Sequence, residues 1–223
     1  CGDCLEVMKS IDDKSIDMIL CDLPYGVTAC KWDTLIPFEP LWEQYKRIVK
    51  NHAAIVLTGT QPFTSALIMS KPKQFKYCWI WYKNNPTGFQ YAKTQPMRSY
   101  EDIAVFSFGR NKYNPIKRPS RITRNISGAM NCRNIYREKL SGMFNGMTRY
   151  PHPVNKICFP WNVIEFDVVP RATGTIHPTQ KPVALFEYLI RTYTDEGDLV
   201  LDNCAGSGTT GVACLNTGRQ FIL

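Results

Sequence analysis

The sequence predicts an α/β fold built on an open, mostly parallel sheet with helices on both faces. Short apolar runs with the length of buried strands alternate along the chain with segments whose apolar residues recur at helical spacing. Strands that are apolar along their whole length are typical of parallel sheets covered on both sides. The composition, with 44% hydrophobic and 21% charged residues in 223, is that of a globular chain with a sizeable core.

Each element follows from a local pattern. The predicted strands cover residues 17–22, 53–58, 77–82, 102–108, 199–202 and 220–223. The predicted helices cover residues 5–11, 37–51 and 62–70, a segment that starts at Pro182, and a segment from Thr209 to about Gly218. Pro182 suits the first turn of a helix because its missing N–H would have no partner there. Ligands of such sheets bind beyond the carboxyl ends of strands, so the residues after each strand are candidate site residues.

The positive charge of the chain is concentrated in one segment. The formal net charge is +8, but residues 110–171 hold twelve cationic and three acidic side chains, and the rest of the chain sums to −1. A segregated basic block is typical of a surface that contacts phosphates, although a merely solvated face would carry the same charge. The candidate phosphate contacts are Lys117, Arg118, Arg121, Arg124, Arg133 and Arg149.

The first motif, Asp22-Leu23-Pro24-Tyr25, follows a predicted strand. Asp22 offers a carboxylate acceptor. Leu23 precedes a proline, so its backbone is held extended and its carbonyl has a fixed direction. Tyr25 supplies a flat ring. Two acceptors beside a ring suit an aromatic amine, because the acceptors can bind its two N–H groups while its base stacks on the ring. A turn that ends a strand and packs its Tyr would show the same residues without binding anything.

Two further motifs lie near the end of the sequence. Residues 206–211, Gly-Ser-Gly-Thr-Thr-Gly, follow a strand and open a helix, where glycines allow a ligand close to the backbone and unpaired N–H groups face it. This spacing also fits the dinucleotide pattern GxGxxG. His-Pro-Thr-Gln-Lys-Pro at 177–182 stands one helix and one strand earlier.

Together, the three motifs resemble those of the N6-adenine/N4-cytosine DNA methyltransferases in which the catalytic motif precedes the cofactor motif. The family's Asp-Pro-Pro-Tyr stands here at 22–25, its Asp-Pro-Phe-x-Gly-Ser-Gly at 202–208, and its His-Pro-Thr-Gln-Lys-Pro, unchanged, at 177–182. Residues 100–106 look like a further family landmark. The resemblance covers nearly the whole chain, and residues 110–148 match it least.

The resemblance implies a Rossmann-like fold that uses S-adenosylmethionine to methylate N6 of adenine, in a base extruded from double-stranded DNA. It implies that 1–109 and 172–223 are the catalytic and cofactor-binding halves of one α/β domain, and that 110–171 is a DNA target-recognition region. The implied catalytic residues are Asp22, Leu23, Pro24 and Tyr25. The implied cofactor-binding residues are His177, Thr179, Lys181, Pro182, Asp202, Cys204, Ala205, Gly206, Ser207, Gly208, Thr209 and Thr210. A cognate restriction nuclease and a second copy of the chain are further partners to consider.

Several alternatives stay open at this point. Adenine is preferred over cytosine N4 because the family motif with Ser in place of Asp22 leans toward cytosine. The Gly-rich loop alone would also fit a nicotinamide oxidoreductase. Related motifs serve methyltransferases of RNA or of protein amides, and a DNA-binding module without turnover would keep the basic block.

The chain departs from the family pattern at two places. Leu23 replaces a proline, which preserves the carbonyl, and Asn203-Cys204 replaces Pro-Phe, which removes an aromatic contact to the cofactor. The chain opens on Cys1 and stops at Leu223 before the acid expected on the ribose, so we expect a fragment. No apolar run approaches the roughly 20 residues of a spanning helix. The cysteines are interpreted as free thiols of a reducing compartment, and their spacing does not complete a metal site. We therefore expect a cytoplasmic protein.

Overall fold

The helices and strands lie close to their predicted positions. The computed structural model describes residues 2–26, 33–119, 157–169 and 180–223. Its helices are α1 (Cys4–Met8), α2 (Phe38–Ile48), α3 (Phe63–Ser70), α4 (Val183–Tyr193) and α5 (Thr209–Thr217). Its strands are β1 (Ile16–Cys21), β2 (Val49–Gly59), β3 (Phe75–Thr87), β4 (Arg98–Phe106), β5 (Arg118–Pro119), β6 (Ile157–Cys158), β7 (Val163–Glu165), β8 (Leu199–Leu201) and β9 (Gln220–Ile222). Pro182 is the N-cap of α4, so the helix begins one residue after the predicted start.

The described strands form a seven-stranded sheet in the order β7-β3-β4-β2-β1-β8-β9. Strand β1 pairs in parallel with β2 on one side and with β8 on the other, and β8 pairs in parallel with β9. Among these described strands, only β4 runs against its two neighbours. The sheet is therefore mostly parallel, as predicted, and β1 and β8 lie side by side although their sequences are far apart.

Helices cover both faces of the sheet, which confirms the predicted layers. One core packs α1, α2 and α3 on the face that carries Ile19 and Cys21 of β1. The other packs α4 and α5 on the face that carries Met18 and Leu20. Residues 18–21 of β1 thus alternate between the two cores, and all six residues of the strand are buried. This double burial explains why residues 18–21 of β1 form an apolar run in the sequence.

The chain divides into two compact units. The larger consists of residues 1–116 and 161–223, and the smaller of residues 117–160. Within the described part of the smaller unit, β5 and β6 pair antiparallel and Lys117 Nζ lies 5.7 Å from the centre of the Phe159 ring. The ends of the predicted basic region therefore lie in the larger unit, where Lys112 Nζ is 2.6 Å from Asp198. A recognition role for 110–171 stays a prediction. In the described ranges, no helix is long and apolar enough to cross a membrane.

Candidate active site

Three neighbouring strands end in polar side chains at the same edge of the sheet. Asp22 follows β1 and Asp202 follows β8, while Thr58 is the penultimate residue of β2. Because these strands are parallel and adjacent, their carboxyl ends bring the three side chains together. The first and last motifs of the sequence therefore meet at one edge.

The carboxylate of Asp22 is held by three donors. The phenol of Tyr25 donates to Oδ1 at 2.5 Å, and the hydroxyl of Thr58 donates to the same oxygen. The ammonium of Lys181 donates to Oδ2 at 2.6 Å. Both oxygens are thus fixed in direction by side chains that come from three separate parts of the sequence.

Lys181 lies between two carboxylates in a buried position. Its Nζ is 3.5 Å from Oε2 of Glu101, and the other oxygen of Glu101 accepts from Lys83 at 2.9 Å. Lys181 and Lys83 are 8% and 4% exposed, so these charges are shielded from water. Burial alone would lower the pKa of Lys181, but the charges of Asp22 and Glu101 raise it above its usual value. Lys181 is therefore a permanent cation beside Asp22.

Tyr25 lies beside Asp22 with its ring against other rings and charges. Its centroid is 5.0 Å from that of Phe63, and Lys181 Nζ is 5.9 Å from the Tyr25 ring. Burial, and then the charge of Asp22, hold the pKa of the Tyr25 phenol well above its ordinary value. The phenol is accordingly a neutral donor to Asp22, and the intervening residue Leu23 is buried in the core.

The Gly-rich loop turns sharply between β8 and α5. Gly206 and Gly208 have φ of +53° and +77°, values that side-chain-bearing residues rarely adopt, and Gly208 immediately precedes α5. Asp202 anchors the loop because its Oδ1 accepts from the backbone N–H of Cys204 at 3.0 Å and its Oδ2 accepts from the hydroxyl of Thr210. Burial raises the pKa of Asp202 above its ordinary value.

A cavity of about 620 Å³ joins the first motif to the loop. Its lining includes Asp22 and Pro24 from the first motif and Lys181 from the second. From the third motif it includes Asp202, Cys204, Ala205, Gly206, Ser207, Thr209 and Thr210. Such a volume suits a cofactor-sized ligand, and the N-terminus of α5 offers unpaired N–H groups beside it. The residues present therefore fit S-adenosylmethionine, whose carboxylate and hydroxyls need polar partners around an adenosine-sized space.

The second departure from the family pattern, Asn203-Cys204, has a local explanation at each of its two residues. Asn203 accepts a hydrogen bond from the phenol of Tyr45 at 2.7 Å, which ties the loop to α2. The Cys204 thiol takes part in hydrogen bonds with the thiols of Cys21 and Cys4, and the contact with Cys21, together with burial, raises its pKa. The position that is aromatic in the family thus holds a small, packed thiol at the wall of the cavity.

The remaining predicted residues have different outcomes. Gly208 and Pro182 precede helices α5 and α4. His177, Thr179, Arg121, Arg124, Arg133 and Arg149 lie outside the described residues. In the part of the chain that is described, no group of three or more His, Cys, Asp or Glu side chains is arranged to hold a metal ion.

Sequence reasoning missed four residues around Asp22. They are Thr58, Phe63, Lys83 and Glu101. Thr58 could have been found by the rule that located Asp22, since it is a polar residue at the end of a buried strand. Glu101 lies in the 100–106 landmark, but only strand order shows that it faces Lys181.

Comparison with known proteins identifies the family. The family model described as DNA methylase, for N6 and N4 methyltransferases, matches residues 16–223. The Type II methyltransferase M1.MboII of Moraxella bovis is 27% identical over 98% of this chain and 87% of its own length. The DNA adenine methyltransferase YhdJ of Escherichia coli (strain K12) is 30% identical over 99% of this chain and 75% of its own.

Solved structures show the same fold at lower identity. The PvuII DNA methyltransferase, which is cytosine-N4-specific, has a TM-score of 0.67 at 16% identity, over 99% of this chain and 78% of that one. The complex of M1.HpyAVI with S-adenosylmethionine has a TM-score of 0.61 at 22% identity, over 99% and 89% of the two chains. With the match of the family model across almost the whole sequence, these findings establish that the chain belongs to the N6/N4 DNA methylase family.

Proposed function

We propose that this chain transfers a methyl group from S-adenosylmethionine to N6 of adenine in double-stranded DNA. The observation that carries the proposal is the cavity that Asp22 shares with the Gly-rich loop on an adjacent strand. A methyl acceptor held at Asp22 would lie beside a cofactor bound at the loop. The similarity to an adenine methyltransferase supports adenine as the base.

Cofactor binding falls to the residues that line the loop side of the cavity. The backbone at Gly206 and Ser207 and the start of α5 would hold polar groups of the cofactor. Asp202 keeps this loop in shape through its bonds to Cys204 and Thr210. When bound, S-adenosylmethionine supplies a methyl group on a positively charged sulfur that a nitrogen lone pair can attack in line.

The target amine is held by residues of the first motif. Asp22 accepts one amino hydrogen and the Leu23 carbonyl accepts the other, while the Tyr25 ring stacks on the base. These bonds turn the nitrogen lone pair out of conjugation with the ring and fix its direction. The base must leave the duplex to reach them, at a cost of about a few kcal/mol.

Asp22 must exchange partners when the base arrives. Its Oδ1 accepts from Tyr25 and Thr58 in the absence of substrate, so an amino hydrogen has to displace one of these donors. We assign the displacement to Tyr25, whose phenol moves away as its ring turns onto the base. Lys181 and Thr58 then keep the carboxylate in place, so that it can take the proton that the amine loses.

The second candidate target is N4 of cytosine, and the observation that favours it is the structural similarity to a cytosine-N4-specific enzyme. We prefer adenine to cytosine because the motif begins with Asp22, whereas the family motif that begins with Ser leans toward cytosine. A cognate nuclease, a homodimer and a cytoplasmic location stay predictions.

The test is the chemical identity of the product. Phage DNA grown without modification is incubated with the protein and S-adenosylmethionine carrying a deuterated methyl group, then digested to nucleosides for mass spectrometry. The proposal expects labelled N6-methyladenine. Labelled N4-methylcytosine would move the assignment to the second candidate, and no label in any DNA, with label in RNA or protein, would overturn it.

A further inference from the structure

The hairpin formed by β3 and β4 exposes an unusual set of side chains. We call residues 82–100 the hairpin arm. Of its aromatic residues, Phe89 is 80% exposed and Tyr91 is 52% exposed, and both lie in the short 3-10 turn at its tip. Two more aromatic side chains and a methionine along it are also exposed, namely Tyr82, Tyr100 and Met97. Exposed apolar side chains that are grouped on one element, as these five are, usually mark a binding surface.

The hairpin arm rises from the edge of the sheet that carries Asp22. Gly59, the last residue of β2, pairs with Asp102 of β4, so residues 98–101 extend past the end of β2. Four residues of strand add roughly 13 Å, and the tip lies beyond them. Glu101 stands at the base of the arm and contacts Lys181, which contacts Asp22. One lysine therefore separates the base of the arm from the proposed methylation site.

The charge of the hairpin arm favours a nucleic acid as its partner. Residues 82–100 contain Lys83, Lys93 and Arg98 and no acidic residue. Lys93 and Arg98 are exposed on the arm, together with several amide side chains. Cations that stand among aromatic rings, with no acid between them, suit phosphates and base faces. The DNA major groove, about 12 Å wide, admits a two-stranded ribbon of this kind.

We propose that the hairpin arm is a second DNA-contacting element, separate from the 110–171 region. Phe89 and Tyr91 pack against the bases next to the extruded adenine, and Lys93 and Arg98 neutralise phosphates on either side. The proposal rests on the proposed function, because a duplex that delivers a base to Asp22 must lie across this edge of the sheet. Filling the gap left in the stack would favour the extruded state.

The aromatic contribution is tested with Phe89→Ala/Tyr91→Ala in the full chain. The matched control is Leu215→Ala, an equally exposed apolar residue (69%) near the end of α5, away from the site edge. Affinity for a fluorescent duplex of mixed sequence is measured by anisotropy, and single-turnover methylation is measured on unmodified phage DNA. We expect the double variant to bind at least about tenfold more weakly and to methylate more slowly, with cofactor affinity and salt slope unchanged. The control should match the wild type.

The charge contribution is tested with Lys93→Glu against Lys46→Glu. Lys46 is exposed near the end of α2, which leads into the opposite edge of the sheet. The slope of log affinity against log salt should fall by about one for each phosphate that the Lys93 variant no longer neutralises. The slope of the Lys46 variant should stay at the wild-type value.

The outcomes separate this proposal from the proposed function. If the aromatic variant bound DNA and methylated it as well as the wild type, the proposed role of the hairpin arm would be overturned and the proposed methyltransferase function would be unaffected. A fall in molecular mass by light scattering with unchanged DNA affinity would assign the arm to self-association instead. If the aromatic variant lost cofactor binding, the comparison of Lys93→Glu with Lys46→Glu would test the proposal instead. Equal salt slopes of DNA binding in these two variants would overturn it. Absence of methylation by the wild type would refute the proposed function itself.

Discussion

Lys181 Nζ lies 2.6 Å from Asp22 Oδ2, although 159 residues separate the two in the sequence. The pair joins the His-Pro-Thr-Gln-Lys-Pro element to the Asp-Leu-Pro-Tyr motif, and Glu101 lies on the far side of the lysine at 3.5 Å. A buried cation between two carboxylates holds both side chains in place. The second motif thus has a task at the catalytic carboxylate as well as at the wall of the cavity.

Replacing Lys181 should damage both stability and activity. Lys181→Met removes the cation between the two carboxylates, so that Asp22 loses its charged partner while Glu101 keeps Lys83, and we expect a loss of about 3 kcal/mol in the free energy of unfolding. Adding Glu101→Gln should cost less stability in this variant than in the wild type, because the contact between Lys181 and Glu101 is already lost, and it should not restore methyl transfer. Urea unfolding and methyl incorporation of the two single variants and the double variant measure both effects. Purely additive losses in stability would contradict the coupling.

The roles of the Tyr25 ring and phenol can be separated. Tyr25→Phe keeps the ring and removes the donor to Asp22, whereas Tyr25→Ala removes both. If the ring stacks on the base, single-turnover rates should fall by a few fold in the first variant and by about a hundredfold in the second, since a base–ring stack is worth about 1–3 kcal/mol. Equal rates for the two variants would show that the ring makes no such contact.

Asp202 should make stability depend on pH. Its pKa in the folded protein is raised by burial above the ordinary value of 3.8. The folded state therefore holds the proton more tightly than the unfolded chain, and stability is highest below the ordinary pKa and falls as the pH rises through the raised one. The Asp202→Asn variant has no carboxylate to ionise, so it does not lose stability in this way. In urea unfolding, the free energy of unfolding of the variant relative to the wild type should therefore increase between pH 4 and neutral pH. Its affinity for the cofactor should fall. A difference independent of pH would mean that the pKa is not raised.

The basic region should set the salt dependence of DNA binding. Reversing the charge of Arg118, Arg121 and Arg124 should weaken binding to a duplex and reduce the salt slope by about 0.9 for each phosphate left without its cation. Anisotropy titrations between low and moderate salt measure the slope, with Lys46→Glu as a control on another surface. An unchanged slope would show that this region is not the DNA face.

Much of the fold could be predicted because local patterns and tertiary structure agree. The apolar run at residues 18–21 specifies a strand buried on both faces. The spacing of Leu41, Trp42, Tyr45 and Ile48 specifies the buried side of α2. Parallel pairing then places Asp22 and Asp202 at one edge. The apolar pattern underestimates the extent of β3, since the exposed half of that strand is stabilised by pairing with β4.

The surroundings of Asp22 could not be predicted because they depend on strand order. Glu101 reaches Lys181 only because β4 is inserted antiparallel beside β2, and no periodicity in the sequence specifies that neighbour. Thr58 and Phe63 likewise approach Tyr25 through β2 and α3, whose positions relative to the first motif follow from packing. The motifs identify the chemistry, whereas the side chains that orient it come from the assembled sheet.

The most direct measurement compares the wild type with Asp22→Asn, a change that keeps the size and removes the charge. Label transfer from radioactive S-adenosylmethionine to unmodified phage DNA is followed in a single turnover, and cofactor affinity is measured by calorimetry on the same preparations. If Asp22 holds the target amine, transfer should fall by about a thousandfold while cofactor affinity stays within severalfold. Transfer within tenfold of the wild-type rate would mean that the methyl acceptor is bound elsewhere.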